Sequence, residues 1–355
     1  MTTLIKPSPR EIRQARADNP KMRERDLSAQ LGISEAQLVA AHVGEGVTRI
    51  EPRVNDLLAG LEAVGEVMAL TRNESAVHEK IGFYNNVHPG THSAMVLGGE
   101  IDLRIFPRAW AYGFAVEKRD GEDIRRSLQF FDKSGNAVHK IHLRAASNLY
   151  AFHKLVAQLA SDEQVQELEI EQAEIERIVP AGAAQADADG NAVRERWSAM
   201  TDPHQFHGLL RSMKLSRREA VGLVGEDYAW QLDASGLGAM FNHAVEQAFP
   251  IMCFVGNQGC IQIHSGPIMN VKPMGPWINV MDPTFHLHLR ADHVAELWGV
   301  RKPTKEGHVT SVEAYDAKGE LIIQFFGKRS EGQDERSDWR LIAENLPRVA
   351  RSTAA

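Results

Sequence analysis

The sequence predicts an α+β protein built as a tandem duplication, in which each half is a large, mostly antiparallel β-sheet flanked by helices. Two observations predict this class. Segments of the first half recur in the second, and strand-like runs such as IDLRIF, AYGFAV, IMCFVG and FHLHL follow one another without the long helices that parallel strands require. At 355 residues the chain is also long enough for two domains.

The duplication is visible when the chain is compared with itself. The segment GISEAQLVAAHVGEG, which contains Ser34, resembles KLSRREAVGLVGED, which contains Ser216, and both predict a Ser-capped helix. Near the end of each half, SLQFFDKSGNAVHKIHLR resembles SVEAYDAKGELIIQFFGKR, which aligns Asp132 with Asp316. Both late segments alternate apolar and polar residues around Asp-x-x-Gly, so a β-hairpin is expected late in each half.

Helices are predicted at the start and the end of each half, among them LYAFHKLVAQLA and SDWRLIAENLP. Between the halves lies EQVQELEIEQAEIERIVPAGAAQADADGN, in which the periodic spacing of apolar residues stops and small and acidic residues dominate. This composition is typical of a linker. We therefore expect an N-terminal repeat over 1–180, a C-terminal repeat over 192–355 and a boundary near residues 180–192.

The bulk composition narrows the class of protein. Apolar residues make up 43% and charged residues 25%, which are ordinary globular values. The net charge of -7 gives no general attraction to nucleic acid or anionic lipid, so an anionic ligand needs individually placed cations. No run has the length of a membrane span or the pattern of a secretory signal, and Cys253 and Cys260 form no CxxC pair. We expect a cytoplasmic protein without membrane insertion.

One segment, RERDLSAQLGISEAQLVAA, has the pattern of a DNA-binding helix-turn-helix, with Gly32 in the turn and Ser34 capping the second helix. That second helix carries Glu35 and Gln37 but no Arg or Lys, so contacts to phosphate would be scarce. A DNA-binding regulator is therefore a remote alternative, and nucleic acid is not the expected partner.

The segment SAMTDPHQFHGLLRSM predicts a helix that Asp202 caps, with Pro203 in its first turn. His204 and His207 would share one face of it, and a neutral imidazole is a ligand for iron, zinc or copper. The two rings can equally cap the helix or hydrogen-bond near its end. Since no HExxH, His-rich tract or carboxylate triad accompanies His204, a metal-hydrolase site lacks its other ligands. Haem, which needs one or two axial ligands and cations for its propionates, fits better.

Six segments match a known family: TDPHQFHGLL, CIQIHSGP, HLHLRADHVAELWGVRKPT, GHVTSVEAYD, ALTRNESAVHEKIGFY and GEIDLRIF. Through them the chain resembles, over nearly its whole length, the HemS/HmuS family of cytoplasmic haem-utilisation proteins, also called hemin-degrading factors. The resemblance implies two similar α+β units, with haem b held in a cleft of the second.

The resemblance also implies roles for single residues. His204 would be the axial iron ligand, while Arg104 and Phe106 of the first half would cover the distal face, with Arg104 as the catalytic residue if the protein is an enzyme. The propionates would be held by Arg217, Lys302, Gln324 and Arg329.

Several of these residues also have a purely structural interpretation. Arg104 could be a solvated strand residue, Phe106 a core aromatic, and Lys302 and Arg329 charges that protect an edge strand. The chain also departs from the family, because Phe325 and Phe326 stand where some members carry a propionate-binding tyrosine.

Two further histidines are candidates. His78 could bind a weaker second haem in the first half. His207 lies one helical turn from His204 and could take the iron as haem leaves.

The same residues would serve a carrier or an enzyme. A carrier in iron acquisition would hold haem and pass it to apo-proteins or a haem oxygenase, with a haem importer component as another expected partner. An enzyme would open the macrocycle with oxygen and an external electron donor, because no GxGxxG follows a strand. Binding and delivery require less of these residues than breakdown does. A carrier is therefore the expected function, and degradation is the alternative.

Overall fold

The computed structural model describes residues 6–171, 189–329 and 334–349. Within these ranges the strands form two large sheets of nine strands each, and neighbouring strands within each repeat pair antiparallel. The predicted α+β class is confirmed. The predicted boundary near residues 180–192 lies mostly outside the described residues, and the helix that opens the second repeat starts at Gly190.

The first unit combines described residues from 6–72, 79–171 and 256–262. Its helices are α1 (Pro9–Asp18), α2 (Glu24–Leu31), α3 (Glu35–Ala40), α4 (Val54–Val64) and α5 (Leu149–Leu159). The strands of this part of the chain are β1 (Val47–Ile50), β2 (Val67–Arg72), β3 (Ala76–Gly82), β4 (Val87–His88), β5 (Ala94–Leu97), β6 (Asp102–Ile105), β7 (Tyr112–Asp120), β8 (Asp123–Phe131) and β9 (Ala137–Leu143). Strands of the unit lie side by side in the orders β1-β7-β8-β9-β2 and β4-β5-β6.

The second unit combines residues 73–78 with described residues from 189–255 and 263–349. Its helices are α6 (Gly190–Ser198), α7 (Gln205–Met213), α8 (Arg217–Leu223), α9 (Ser235–Glu246) and α10 (Ser337–Asn345). The strands of this part of the chain are β10 (Ala229–Leu232), β11 (Ile251–Gly256), β12 (Cys260–Gly266), β13 (Val271–Met274), β14 (Trp277–Met281), β15 (Phe285–Arg290), β16 (Glu296–Pro303), β17 (His308–Tyr315) and β18 (Leu321–Gly327). The unit repeats the plan of the first, with the strand orders β10-β16-β17-β18-β11 and β13-β14-β15.

The two units are not two contiguous halves of the chain, because one short segment of each half groups with the other unit. Residues 73–78 group with the second unit, where the Asn73 side chain donates to the carbonyl of Ile322 at 2.8 Å. Residues 256–262 group with the first unit, where the indole of Trp110 donates to the carbonyl of Gly259 at 2.9 Å. Backbone carbonyls near buried strands need such donors, and these partners are remote in sequence.

The two repeats also match in how their helices are capped and how their hairpins turn. Ser34 caps α3 and Ser216 caps α8, each in a capping box with the side chain three residues later. Asp132 accepts two backbone N–H groups at 2.9 Å in the β8–β9 turn, and Asp316 accepts two at 2.8 and 2.9 Å in the β17–β18 turn. Both predicted hairpins are therefore present, and the structure shows that the same Asp-centred turn closes each of them.

Each unit has its own apolar core. In the first, α4 and α5 pack on the sheet through side chains such as Leu57, Phe130 and Phe152, which are at most 1% exposed. In the second, α9 and α10 do the same through Phe241, Phe325 and Trp339. Burying one such aromatic side chain contributes roughly 2 kcal/mol, so these helices are held by packing rather than by their own propensity.

The segment with a helix-turn-helix pattern does form two helices joined at Gly32, which has a left-handed φ of 65°. However, α3 has only six residues, and five of them are buried: Glu35, Ala36, Leu38, Val39 and Ala40. A helix covered in this way has no face to place in a DNA groove. No helix in the described ranges is long and apolar enough to cross a membrane.

Candidate ligand-binding site in the second unit

His204 stands at the entrance of α7 with its side chain 87% exposed. The helix begins at Gln205, and His204 is its N-cap residue without a capping side-chain bond. The prediction that Asp202 caps this helix is wrong, because residues 202–204 form a turn before the first helical residue. Asp202 instead accepts the backbone N–H of His204 at 2.8 Å and lies 2.7 Å from its ring Nδ1.

This contact orients the imidazole. A carboxylate beside Nδ1 favours the tautomer with its proton on that nitrogen, so the lone pair lies on the outward Nε2. The backbone hydrogen bond from His204 lowers the pKa of Asp202, and the His204 ring and the charge of Arg329 lower it further. The carboxylate is therefore ionised at neutral pH, and an oriented, exposed imidazole is what an axial metal ligand requires.

His207 lies one turn further along α7. Partial burial lowers its pKa, and the positive charges of Arg217 and Lys302 add to that effect. The ring is therefore neutral at physiological pH, and a neutral imidazole can donate a lone pair to a metal.

Three of the predicted propionate partners meet at one buried carboxylate. Glu313 of β17 is 0% exposed, and it accepts the Lys302 ammonium at 2.9 Å and the Gln324 amide at 2.8 Å. One guanidinium nitrogen of Arg217 lies 3.2 Å from each carboxylate oxygen. Ser311 donates to the same group at 2.8 Å, and the hydroxyl of Tyr315 donates as well.

The cations of this cluster also lie against aromatic rings. The guanidinium of Arg217 and the ammonium of Lys302 are each 4.9 Å from the ring centre of Phe206 on α7. Such cation–π contacts add about 0.5–2 kcal/mol each and fix the side chains against the helix that presents His207. Lys302 is only 5% exposed on β16, which lies between β10 and β17, so it is not a charge on an edge strand.

The ionisation states follow from the partners. Burial opposes the charge on Glu313, yet Lys302 and Arg217 hold the pKa of Glu313 far below its ordinary range. Burial lowers the pKa of Lys302, and the charge of Glu313 opposes that lowering. The cluster therefore holds two cations and one anion, which leaves one positive charge for a ligand.

Arg329 follows β18 and is partly buried, and its charge acts on Asp202. In the first unit, Arg104 pairs with Asp102 of the same strand and keeps 34% of its side chain exposed. Phe106 is partly buried just after β6, where its backbone N–H donates to Gly259 at 3.0 Å. Both side chains therefore retain solvent-exposed surface and do not belong to the closed core.

His78, predicted as a ligand for a second haem in the first half, groups with the second unit and is 0% exposed. Its ring centre lies 4.9 Å from that of Phe285. A ring enclosed in this way can coordinate iron only if the surrounding core opens. In the described part of the chain, no cluster of three or more His, Cys, Asp or Glu side chains could hold a bare metal ion.

Sequence reasoning missed Glu313, Ser311 and Tyr315, although the signal was present. In the strand HVTSVEAY these three residues are spaced by two, so they point to one face of β17. A serine, a glutamate and a tyrosine on one face of a buried strand indicate a polar cluster that needs partners.

Comparison with known proteins shows the family of this chain. The model of the haemin-degrading HemS.ChuX domain matches the chain twice, at residues 32–159 and 214–346. The chain belongs to this family. The resemblance found in the sequence is thereby confirmed, and each matched range lies within one of the two expected repeats.

Individual HemS-family members are similar over almost the whole chain. The hemin transport protein HemS of Yersinia enterocolitica is 42% identical over 328 residues, which cover 92% of this chain and 93% of that protein. The crystal structure of holo-PhuS, a heme-binding protein from Pseudomonas aeruginosa, matches with a TM-score of 0.92 and 42% identity, over 97% of this chain and 100% of that one. ChuS, an E. coli heme oxygenase, matches with a TM-score of 0.84 and 37% identity, over 93% and 98%.

Proposed function

We propose that this protein binds haem b through an axial bond from His204 to the iron, and that it carries haem between proteins in the cytoplasm. The observation that carries the proposal is the imidazole of His204, which is 87% exposed while Asp202 fixes its Nδ1. An exposed ring held by a carboxylate is prepared to bind a metal that arrives with its own macrocycle.

The residues around His204 fit the rest of a haem. A haem presents two carboxylates, and Arg217, Lys302 and Gln324 form a cationic, hydrogen-bonding group in the same unit. Charge-assisted hydrogen bonds to carboxylates contribute about 1.5–3 kcal/mol each, which is enough for this group to orient a porphyrin. Arg329 is a further candidate partner.

The distal residues belong to the first unit, and their role stays a prediction. Arg104 would exchange its contact with Asp102 for hydrogen bonds to a ligand on the iron, since a guanidinium is a permanent donor. Phe106 would contact the porphyrin edge.

The carrier role has support from the relatives. A curated relative of 42% identity is named a hemin transport protein. A haem oxygenase, a haem importer component and apo-proteins are the partners we propose. Degradation is the second candidate function, because the related ChuS is described as a heme oxygenase. It would need an external electron donor.

The iron ligand can be tested by titrating hemin into purified protein and recording the Soret band. We expect a six-coordinate ferric spectrum at one equivalent, and a loss of affinity of at least about tenfold in His204→Ala, since an axial bond outweighs one hydrogen bond. The control is His153→Ala, which removes a half-exposed helical histidine of the first unit.

The role of His207 can be tested in the same titration. If His207 takes the iron when His204 is absent, His204→Ala retains some six-coordinate haem, and the double variant His204→Ala/His207→Ala loses it. Equal spectra in the single and double variants exclude this role for His207. Wild-type affinity in His204→Ala would refute the proposed ligand.

Carrier and enzyme are separated by adding an electron donor to the hemin complex in air, with catalase present to remove peroxide. A carrier keeps the porphyrin intact and transfers it to apomyoglobin. Loss of the Soret band with release of carbon monoxide would instead establish degradation.

A further inference from the structure

The two repeats share one strand register but differ in charge at a facing pair of residues in the late hairpin. In the second unit Glu313 lies opposite Gln324 across β17 and β18. In the first unit Gln129 lies opposite Lys140 across β8 and β9. Gln129 is 3% exposed and donates to Ser127 at 3.1 Å, much as Ser311 contacts Glu313. The fold thus builds the same hairpin with an uncharged glutamine, so the hairpin itself does not require the carboxylate of Glu313.

A buried carboxylate that the fold does not require is costly, because desolvating a charge must be offset by its partners. Glu313 has such partners in Arg217, Lys302 and Gln324, which are the residues proposed to receive the carboxylates of a porphyrin. The geometry therefore links this carboxylate to the ligand site rather than to the hairpin.

We infer that Glu313 is a positioning residue that holds Arg217, Lys302 and Gln324 in place for a carboxylate of the bound porphyrin, so that the site selects porphyrins whose carboxylates are free. This inference rests on the proposed function. Glu313 itself need not touch the porphyrin.

The physical effect has two parts. Without a shared anion, the two cations repel each other, and the side chains must be ordered when the ligand binds, which lowers affinity. In addition, a buried lysine without a counter-ion tends to lose its proton. The charged and titratable groups that act on the ammonium of Lys302 are Glu313 on β17, Arg217 on α8 and His207 on α7. Of these, the carboxylate of Glu313 is the group that favours the charged lysine.

The test compares hemin with hemin dimethyl ester, whose two carboxylates are blocked while its iron is unchanged. We expect the wild type to prefer hemin by at least about tenfold, the value of one charge-assisted hydrogen bond. In Glu313→Gln this preference falls to about threefold or less, because the cations are no longer aligned.

Two control variants separate positioning from general damage. Glu335→Gln removes another buried carboxylate of the second unit, which accepts Thr310 at 2.7 Å and Arg340 at 2.9 Å, and it should keep the full preference. His204→Ala should weaken binding of hemin and of the ester alike, which leaves their ratio unchanged.

The variant Glu313→Asp covers the case in which Glu313→Gln does not fold. It keeps the negative charge but is one methylene too short to reach all its partners, so it should also lose preference for hemin. Wild-type preference in both variants, or in Glu313→Asp if it alone folds, overturns the inference while the proposed function stands. If the wild type binds neither hemin nor its ester, the proposed function fails first.

Discussion

His139 of the first unit is the centre of a closed chain of hydrogen bonds. It is 1% exposed, its Nε2 lies 2.6 Å from the Tyr84 hydroxyl, and its Nδ1 lies 2.8 Å from the hydroxyl of Thr71. Thr71 in turn donates to Gln262 at 3.0 Å. One consistent arrangement has Tyr84 donating to Nε2 and Nδ1 donating to Thr71, so every member is satisfied only while His139 is neutral.

The neutral state of His139 predicts acid sensitivity. Burial lowers the pKa of His139 to about 3, whereas an unfolded histidine titrates near 6.5. Between these values the unfolded chain binds the extra proton, so stability is full above about pH 6.5 and falls as the pH drops towards 3, by on the order of 4 kcal/mol. The thermal midpoint of the first unit should decrease accordingly between pH 7 and pH 4.

The variant His139→Gln removes this titration. It should be less stable than the wild type at pH 7, because Tyr84 and Thr71 lose a matched partner, but its midpoint should depend less on pH. Some dependence will remain, because burial also lowers the pKa of His142, to about 4. An unchanged slope in His139→Gln would show that another group controls acid unfolding.

At the scale of single elements, the two Asp-centred turns are equivalent in backbone but not in surroundings. Gly135 has a φ of 78° and Gly319 a φ of 82°, and both conformations favour glycine. A Cβ on Gly135 would lie 2.2 Å from the hydroxyl oxygen of Ser34, the residue that caps α3. A Cβ on Gly319 would meet only Arg218, at an ordinary 3.4 Å.

Alanine at the two glycines should therefore have different effects. Gly319→Ala should cost about 1 kcal/mol of unfolding free energy, from its left-handed backbone alone. Gly135→Ala should cost about 2–3 kcal/mol more, because the methyl group displaces Ser34 and disrupts the cap of α3. Urea unfolding of the two variants measures the difference, and equal losses would mean that the turn moves freely away from the helix.

For the whole molecule, the two repeats share the fold but differ at the positions of the proposed ligand residues. Met22 precedes Ser34 by the same number of residues as His204 precedes Ser216, so the first repeat has methionine at the position of the proposed ligand. Glu35 begins α3 where Arg217 begins α8, and Glu35 is paired with Arg72 and lies 3.5 Å from the ammonium of Lys140. Glu24 lies 3.4 Å from the same ammonium, so two carboxylates balance two cations at the equivalent position of the first unit.

This asymmetry predicts one haem per chain. Titration of the full chain with hemin should end at one equivalent, and native mass spectrometry should show a single bound haem that is lost in His204→Ala. His78 does not alter this expectation, because it is 0% exposed. A second haem of comparable affinity, retained in His204→Ala, would contradict it and would indicate that the first unit binds haem independently.

The sequence by itself determined the α+β class, the duplication, the capping serines, the Asp-centred hairpins and the family. These features depend on residues within a few positions of one another, or on the similarity of whole segments, so they can be read along the chain. The tertiary structure alone decided the exchange of residues 73–78 and 256–262 between the units and the convergence of Arg217, Lys302 and Gln324 on Glu313. Arg217 lies on a helix that is remote in sequence from the three consecutive strands carrying Lys302, Glu313 and Gln324, and only folding brings together the buried charges that must compensate one another.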